Sequence, residues 1–371
     1  MSSYTFSLDM LFAMASTDKP KRWQIHVRDN NDGTSTIIRE HGYVNQKIQV
    51  IEKIIRKGKN IGKANGTNHY TQAIADAKSL HQKQVDKGYV TNLKDWKEPE
   101  FPMLAHPFEK RKHKIKYPCY VQRKFNGVRC FAKRVSESEM TYMSRGGKFY
   151  DTLDHLTPLF LEVLEVGDIV DGEIYIHGVT FQEIIRRVKK LRPESITLQF
   201  HAYDFIPLGN PKVKYNTRKD ILEGKFKNKY PEIVVCETLQ VANEEEIKHY
   251  HDLWVMDGYE GIIIRNSNGH YSFSNRSVDL QKYKEFIDDE FKIVGGTQAT
   301  ESTHAGCVKF ICDAKNGETF SVYPKGTLEE RRQMFIDLDK YIGKELTVRY
   351  QETSEAGTPI FGVGICIRDY E

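Results

Sequence analysis

Lys124 is the residue of this chain whose local sequence best suits covalent chemistry. It begins the segment Lys-Phe-Asn-Gly-Val-Arg at 124–129 and follows a strand-like run at 117–123. A lysine at the end of a half-buried strand is partly desolvated, and desolvation together with nearby positive charge lowers the pKa of an amine and makes it a nucleophile. An Asn-Gly turn after a strand is also common in hairpins, so this segment alone does not define a site.

Later segments carry side chains that suit a nucleophilic lysine. Glu173 lies in an Asp-Gly-Glu segment on a predicted strand, and Glu260 begins another. Lys282 and Lys284 alternate along a strand and therefore face the same side, and Tyr203 ends a further strand. Each of these is individually a common solvated or structural residue. Together, two carboxylates for Mg²⁺, two lysines for a phosphate and an aromatic ring for a base favour nucleotidyl transfer.

The elements that must position these residues predict an α+β protein with three folded sections. Residues 1–95 are predicted to contain strands over 22–27 and 34–39 and helices over 49–56 and 71–87. Residues 96–117 are predicted to be a linker, because three prolines in it discourage regular structure. The middle section, 118–288, alternates strands and helices in an α+β manner.

Two predictions inside these sections are specific. The middle section contains a predicted strand over 169–176 and a predicted helix over 181–191 with five apolar residues on one face: Phe181, Ile184, Ile185, Val188 and Leu191. Residues 289–371 contain mainly short strands and one predicted helix over 328–341. A small β-barrel with one helix, the OB-fold, is the simplest closure of such a set.

Composition narrows the class of protein and its compartment. The chain has 371 residues, and its six cysteines contain no Cys-x-x-Cys pair, which argues against zinc binding and against a disulfide framework. No apolar run approaches the roughly 18–20 residues needed to cross a bilayer, and the N-terminus lacks a secretory pattern. An intracellular, reducing location, cytoplasmic or nuclear, is therefore expected. Residues 1–100 carry 16 basic and 11 acidic residues, which favours an anionic partner.

Six short motifs follow one another in order: Lys124-x-Asn126-Gly127-x-Arg129, Ser144-Arg145-Gly146-Gly147, Asp171-Gly172-Glu173, Tyr203-Asp204, Glu260-Gly261 and Lys282-x-Lys284. This order resembles the motif series of the ATP-dependent DNA ligases, which belong to the covalent nucleotidyltransferases together with RNA ligases and mRNA capping enzymes. The resemblance runs from about residue 99 to the C-terminus. Segments 344–352 and 364–369 are similar to the OB domain of small DNA ligases in particular. The resemblance to the ATP-dependent DNA ligases implies a role in DNA replication, repair or recombination.

The resemblance implies a reaction and a set of phosphate contacts. Lys124 would attack the α-phosphorus of ATP, release pyrophosphate and hold AMP as a phosphoramidate. AMP would then pass to the 5′-phosphate of a nick in duplex DNA, where the 3′-hydroxyl displaces it. Lys282 and Lys284 would contact the α-phosphate. Arg129 and Arg145 would contact the nucleotide ribose or phosphates, or the nick phosphate.

The resemblance also implies base and metal contacts, with two departures from the family pattern. Tyr203 would stack on adenine. Glu260 would bind Mg²⁺ (or Mn²⁺), and Glu173 would contact the ribose or assist the metal. Gln122 stands where the family often has a glutamate, and its amide oxygen would accept the hydrogen bond from the adenine amino group. Asn126 stands where the family usually has aspartate, and the last OB motif is matched only by residues 368–369.

Residues 1–95 resemble the WGR domain, a small α+β module that occurs in poly-ADP-ribose polymerases and contacts DNA ends and nicks. The resemblance rests on Trp23-Gln-Ile-His-Val, on residues 40–46 and on a helix ending at 83–89. His41-Gly42-Tyr43 stands where Trp-Gly-Arg is expected. The alternative is a lineage-specific accessory domain. In either case a basic section suits phosphate contacts that weaken with salt.

The resemblance leaves competing functions to weigh. The leading hypothesis is an ATP-dependent DNA ligase that binds nicked double-stranded DNA as a monomer, encircles or clamps it, and has no membrane partner. The alternatives are an RNA ligase or capping-type nucleotidyltransferase, and a catalytically idle nucleic-acid-binding protein that kept the fold. The C-terminal strands favour the DNA class, and the intact lysines and glutamates argue against an idle protein. A compact ligase with an added domain suits a viral or phage genome.

Overall fold

The computed structural model describes residues 4–284, 286–300, 304–350, 352–354, 356–360 and 362–368. The chain divides into two compact units, one formed by residues 1–11, 15–81 and 285–371 and the other by residues 12–14 and 82–284. Among the helices in the described ranges, none is long and apolar enough to span a membrane.

The N-terminal section contains five strands and one long helix: β1 (Phe6–Ser7), β2 (Leu11–Met14), β3 (Pro20–Asp29), β4 (Ser35–Tyr43), β5 (Gln49–Ile55) and α1 (His69–Val85). Strands β1, β3, β4 and β5 lie in that order and pair antiparallel. The Ser35 hydroxyl lies 2.9 Å from Nδ1 of His69, and the Trp23 ring lies 6.1 Å from that of His81. Helix α1 therefore packs along this sheet.

The prediction of a helix over 49–56 is wrong, because this segment forms strand β5. Its apolar residues, Val50, Ile51, Ile54 and Ile55, are spaced as on a helix face. All four are β-branched, which favours extended backbone, and β5 pairs with β4 along its whole length. Val50 and Ile54 are exposed, so the apparent stripe is not a buried face. The helix predicted over 71–87 is confirmed as α1.

The middle section contains ten strands and five helices: β6 (Leu104–Pro107), α2 (Phe108–Arg111), β7 (Cys119–Lys124), β8 (Val128–Arg134), β9 (Met140–Ser144), α3 (Thr157–Val163), β10 (Ile169–Tyr175), α4 (Phe181–Lys189), β11 (Gln199–Ile206), α5 (Tyr215–Phe226), β12 (Ile233–Val235), β13 (Thr238–Val241), α6 (Glu244–Met256), β14 (Gly261–Asn266) and β15 (Arg276–Tyr283). The strands form two five-stranded sheets. Their orders are β12-β11-β10-β8-β9 and β13-β7-β14-β15-β6.

The Asn-Gly turn at 126–127 does not close a hairpin. Strand β7 before it belongs to one sheet, and strand β8 after it belongs to the other. The turn therefore carries the chain from sheet to sheet directly after Lys124. Of the two interpretations of this turn, the hairpin is therefore wrong.

Residues 104–111 form a strand and a short helix, although the three prolines of this section predict an irregular linker. Strand β6 pairs parallel with β15, and Phe108 of α2 is buried. Strand β6 lies at the edge of its sheet, where a proline such as Pro107 is tolerated because an edge strand leaves one row of backbone groups unpaired. Part of the expected linker therefore belongs to the sheet that carries Lys124.

The predicted strand over 169–176 is confirmed as β10. The helix predicted over 181–191 is confirmed as α4, but it ends at Lys189. Ile184 and Val188 are buried as expected, whereas Leu191 lies beyond the helix and is 69% exposed. The prediction that Leu191 lies on the apolar face of this helix is wrong, because the helix ends before residue 191.

The described part of the C-terminal section contains β16 (Ile287–Gln298), β17 (Val308–Asp313), β18 (Thr319–Pro324), α7 (Leu328–Ile336), β19 (Glu345–Tyr350), β20 (Glu352–Thr353), β21 (Pro359–Ile360) and β22 (Val363–Arg368). Five of these strands form a closed barrel, and β20 and β21 pair with each other outside it. The barrel order is β16-β17-β18-β22-β19. Val308, Phe310 and Cys312 alternate along β17 and are fully buried, as a barrel interior requires. Helix α7 begins at a Thr327–Glu330 capping box and is shorter than the predicted 328–341.

Candidate active site

Three neighbouring strands present one row of side chains to a common pocket. Gln122 on β7 lies opposite Ile263 on β14, and Ile263 lies opposite Lys282 on β15. Because side chains alternate across a strand, Val121 and Ile264 face the other way and are fully buried in the core. The same alternation places Lys124 at the end of β7, opposite Gly261, with its side chain 17% exposed.

Glu260 bridges two of the predicted lysines. Its Oε2 accepts a hydrogen bond from Nζ of Lys124, and its Oε1 accepts one from Nζ of Lys284 at 2.8 Å. Burial alone would raise the pKa of Glu260, but the two lysines outweigh burial and lower it. Glu260 is therefore a carboxylate held between two ammonium groups, and the structure brings these three predicted residues together.

Glu173 approaches the same pocket from the second sheet. It lies on β10, and burial raises its pKa to about 7, although Arg129 and Lys124 oppose the rise. Gly127 makes the approach possible, because a Cβ at this position would lie 2.5 Å from the Ile174 carbonyl oxygen and 2.7 Å from Cγ of Glu173. The chain after Lys124 therefore passes in direct contact with the strand that carries the second carboxylate.

Arg129 is held in place by an acid that the sequence interpretation assigned no role. Its Nε and Nη2 both donate to the Asp171 carboxylate, with Nε at 2.8 Å from Oδ1, and Nη2 also donates to the Met103 carbonyl oxygen at 3.1 Å. The hydroxyl of Tyr271 donates to Asp171 at 2.6 Å. A paired, doubly hydrogen-bonded guanidinium of this kind is rigid, which suits precise positioning next to a ligand.

Tyr203 sits at a β-bulge. Asp171 pairs with Asp204 and Gly172 pairs with Ala202, so Tyr203 is the extra residue between two register positions. Bulges beside active sites redirect a side chain, and here the ring lines the pocket. The guanidinium carbon of Arg129 lies 5.2 Å from the ring centroid.

Gln122 is less available than expected. It is buried, its Nε2 donates to the Tyr203 carbonyl oxygen at 3.1 Å, and its Oε1 accepts from Nε of Arg265 at 2.8 Å. The amide oxygen predicted to face adenine thus already has a donor inside the protein. An sp² oxygen has a second lone pair, which remains for a ligand.

Lys282 and Arg145 complete the predicted set. Burial lowers the pKa of Lys282, and the positive charges of Lys284 and Lys124 lower it further. Among the residues that the structure describes, no carboxylate lies within ion-pair distance of Lys282, so its ammonium group can accept an anionic ligand. Arg145 lies in the turn after β9 and contributes to the same positive field.

The pocket has a cavity volume of about 170 Å³, below the roughly 300–1,000 Å³ typical of small-molecule sites. Its lining contains predicted residues and others that sequence reasoning missed, namely Leu104, Ala105, Arg123, Phe125, Ile263, Arg265, Arg276 and Leu280. Alternation along Glu260-Gly-Ile-Ile-Ile-Arg would have placed Ile263 and Arg265 on one face of β14. No local signal in the sequence brings Leu104, Ala105 and Arg276 to the site.

The two predicted metal ligands do not form a ready-made metal centre. Within the described ranges, no group of three or more His, Cys, Asp and Glu side chains is arranged to hold a metal ion. Burial is the main cause of the raised pKa of Glu173, and the negative charge of Glu260 raises it further. A divalent cation would counter the effect of that charge, and Mg²⁺ commonly uses one or two carboxylates together with substrate phosphates and water.

A lysine amine, two carboxylates and several cations surround one pocket, an arrangement that suits an enzyme that transfers a nucleotide. The chain matches a family model described as the ATP dependent DNA ligase domain over residues 102–284 and one described as the DNA ligase OB-like domain over residues 303–368.

Viral enzymes are similar to this chain over most of its length. A DNA ligase of African swine fever virus is 30% identical over 335 residues, covering 85% of this chain and 79% of the relative. The DNA ligase of enterobacteria phage T4 is 26% identical over 309 residues, covering 67% of this chain and 63% of the relative. A solved structure described as part of a structure-function analysis of Lig E DNA ligases has a TM-score of 0.60 at 19% identity, covering 73% of this chain and 100% of that one. The chain therefore belongs to the ATP-dependent DNA ligase family.

Proposed function

We propose that this ligase seals nicks in duplex DNA through a lysyl-AMP intermediate on Lys124. Nζ of Lys124 attacks the α-phosphorus of ATP, a nitrogen–phosphorus bond forms, and the bond to pyrophosphate breaks. AMP then moves to the 5′-phosphate of the nick and frees the lysine. The 3′-hydroxyl attacks that phosphate, joins the strands and releases AMP. The observation that carries the proposal is the Lys124 amine on the pocket wall beside Glu260, Lys282 and Lys284.

Glu260 governs the state of the nucleophile. The two lysines lower the pKa of Glu260, so it is a poor proton acceptor, and its carboxylate pairs with the Lys124 amine. Lys124 must leave this pair and lose its proton before it attacks. Lys284 remains hydrogen-bonded to the other carboxylate oxygen, so Glu260 is not left as an unpaired buried charge when Lys124 moves.

The other predicted residues bind and orient ATP. Tyr203 stacks on adenine, and Gln122 accepts from the adenine amino group through its remaining lone pair. Lys282 binds the α-phosphate, since its ammonium group has no carboxylate partner within the described ranges. Arg129 and Arg145 contact the ribose, the phosphates or the nick phosphate.

Glu173 and Glu260 would hold Mg²⁺, or Mn²⁺, together with phosphate oxygens. The metal supplies charge neutralisation at the phosphates. Protein residues provide the rest of the positive field through Lys282, Lys284 and Arg145. Support for this assignment comes from the nearness of the two glutamates: burial is the main cause of the raised pKa of Glu173, and the charge of Glu260 adds to it.

We further propose which function each section of the chain has. Residues 1–95 form a WGR-like accessory DNA-binding domain, 96–117 a connection, 118–288 the adenylation domain and 289–371 the OB domain. The excess of basic residues in the first section and the packing of α1 on its sheet support the first assignment. The enzyme acts as a monomer that encircles or clamps nicked DNA. Its similarity to viral and phage ligases supports a viral origin.

Incubation with labelled ATP and Mg²⁺, followed by denaturing electrophoresis, tests the first step. The parent enzyme should acquire a covalent AMP label, and Lys124→Ala should not. Lys124→Arg is the matched control, because it keeps a positive charge but cannot form the same adduct. An adduct on Lys124→Ala would overturn the assignment. Sealing of a nicked DNA duplex, compared with a nicked RNA duplex, tests the substrate.

A further inference from the structure

The chain between β5 and α1, residues 56–68, forms a strongly basic loop outside the nucleotide pocket. We name it the lysine-rich loop. It contains Arg56, Lys57, Lys59 and Lys63, all exposed, and no aspartate or glutamate. Its Gly58-Lys-Asn-Ile-Gly-Lys-Ala sequence resembles a nucleotide-binding loop but lacks the required spacing. The nucleotidyl-transfer reaction therefore leaves this motif unexplained.

Internal hydrogen bonds close the lysine-rich loop. Thr67 hydrogen-bonds Lys59 twice, because its Oγ1 accepts from the Lys59 amide at 2.8 Å and its own amide donates to the Lys59 carbonyl oxygen at 2.9 Å. Gly58 lies against this closure, since a Cβ there would be 1.6 Å from the Thr67 carbonyl oxygen. The Lys63 amide donates to the Asn60 carbonyl oxygen at 3.0 Å. A loop held in this way loses little further entropy when it binds a ligand.

The tip of the lysine-rich loop is apolar. Ile61 is 75% exposed and lies between Asn60 and Gly62, which both have left-handed backbone, with φ of 52° and 82°. Left-handed backbone on both sides of Ile61 lets the chain turn sharply there. An isoleucine in this position gains little from folding, because most of its surface stays in contact with water.

The positive charge of the lysine-rich loop is only partly balanced. Nζ of Lys59 lies 3.8 Å from Oδ1 of Asp76 on α1. Asp32, in the neighbouring β3–β4 turn, is bound by the amide and hydroxyl of Thr34. For the remaining cations, Arg56, Lys57 and Lys63, the described part of the chain offers no carboxylate within ion-pair distance.

We propose that the lysine-rich loop is a DNA-contacting element, in which Lys57 and Lys63 bind backbone phosphates and Ile61 enters the adjacent minor groove. Duplex DNA is the occupant because the chain is a DNA ligase, and because a rigid loop with unbalanced cations around an apolar tip matches phosphates that flank an apolar groove wall. Apolar side chains are inserted into the minor groove by proteins that also hold the flanking phosphates. The inference rests on the proposed nick-sealing function.

Salt dependence tests the phosphate contacts. The affinity of full-length Lys57→Gln/Lys63→Gln for a nicked duplex should be lower than that of the parent. The slope of log affinity against log salt should become shallower by about 0.9 for each phosphate that the variant no longer binds. Lys248→Gln is the matched control, because Lys248 lies on α6, whose first turn carries three glutamates and suits DNA poorly. An unchanged slope in the double variant would overturn the phosphate contacts.

Ile61→Ala tests the apolar contact. Its affinity for the nicked duplex should fall about tenfold, with an unchanged salt slope, because the substitution removes buried apolar surface and no charge. Met256→Ala is the control, because Met256 is 85% exposed and also lies on α6. Equal affinities for Ile61→Ala and the parent would remove the groove contact from the proposal.

Two further measurements keep failure of this inference distinct from failure of the proposed function. All loop variants should form the AMP adduct without DNA at the parent rate, because no loop residue lines the nucleotide pocket. Thermal melting should show that they are folded. If the parent seals nicks and the loop variants bind DNA as the parent does, the loop proposal fails alone. If the parent forms no adduct, the nick-sealing mechanism fails.

Discussion

At the scale of single residues, the two glutamates of the site differ in how well neighbouring positive charges stabilise their charged forms. Glu260 is stabilised by two lysines, whereas Glu173 is half-buried with incomplete compensation, and desolvation raises its pKa to about 7. One carboxylate is therefore fixed in its charged form, while the other titrates near neutral pH. This contrast predicts that removing the charge of Glu173 and removing that of Glu260 affect stability differently.

Glu173→Gln should stabilise the protein at alkaline pH and weaken adenylylation. The raised pKa means that the folded state binds a proton at Glu173 more tightly than the unfolded state does. The stability that this proton provides is therefore fully present below pH 4.5 and is lost as pH rises through about 7. At pH 8.5 the variant should gain up to about 3 kcal/mol in free energy of unfolding over the parent. Denaturant unfolding at pH 5 and pH 8.5 measures this. The exposed Glu139→Gln should show no such difference, and an equal gain at both pH values would contradict the prediction.

Lys282→Arg should flatten the pH dependence of ATP binding. The lowered pKa of Lys282 means that its charge is lost at a lower pH than for an ordinary lysine. In the parent, KM for ATP should therefore rise with increasing alkalinity, whereas an arginine stays charged throughout. Steady-state adenylylation from pH 7 to pH 10 checks this. Parallel KM profiles for the two proteins would show that Lys282 does not supply the titrating charge.

At the scale of elements, most strands and helices could be predicted from periodicity, and the exceptions have physical causes. The helical spacing of residues 49–56 concealed a strand, because pairing with β4 and four β-branched residues outweighed the pattern. Strand β6 was hidden by prolines that an edge position tolerates. The site residues of the six motifs could be identified from the sequence, but the bulge at Tyr203 and the Asp171–Arg129 pair depend on tertiary contacts.

One contact between elements bears on the turn that carries Arg145. Gly147 has φ of 90°, and a Cβ there would lie 1.8 Å from the carbonyl oxygen of Asp86, just beyond α1. Gly147→Ala should displace this turn, lower stability by about 1–3 kcal/mol and slow adduct formation. Gly146→Ala is the matched control, since a Cβ there meets nothing within 4 Å. Melting temperatures and adduct rates compare the two, and equal behaviour would show that the contact is unimportant.

At the scale of the whole molecule, the expected boundary near residue 95 stays a prediction, and the contacts of residues 86 and 88 bear on it. The unit that contains the nucleotide pocket begins its long segment at Gln82, inside α1, because residues 86 and 88 pack against Gly147 and Pro99. Sequence composition could not reveal this boundary, since α1 is continuous across it. The final turn of α1 thus belongs with the catalytic unit.

Truncation should reveal this boundary. A chain that begins at residue 82 keeps the contacts of Asp86 and Gly88, whereas a chain that begins at residue 96 lacks both residues. The shorter chain should form the AMP adduct about tenfold more slowly than the longer one, equivalent to about 1.4 kcal/mol in activation free energy. Single-turnover adenylylation of both proteins measures the difference. Equal rates would show that the expected boundary at residue 95 is functionally adequate.

The passage of the chain from one sheet to the other directly after Lys124 has a mechanical consequence. Glu173 lies on a strand of one sheet, and Glu260 immediately precedes a strand of the other. The backbone itself sets how closely the two sheets meet here, because Gly127 touches the strand of Glu173 without an intervening side chain. The spacing of the acids around the amine is therefore a property of main-chain contact. Substitutions deep in either hydrophobic core can weaken the fold while leaving the geometry of the reacting groups unchanged.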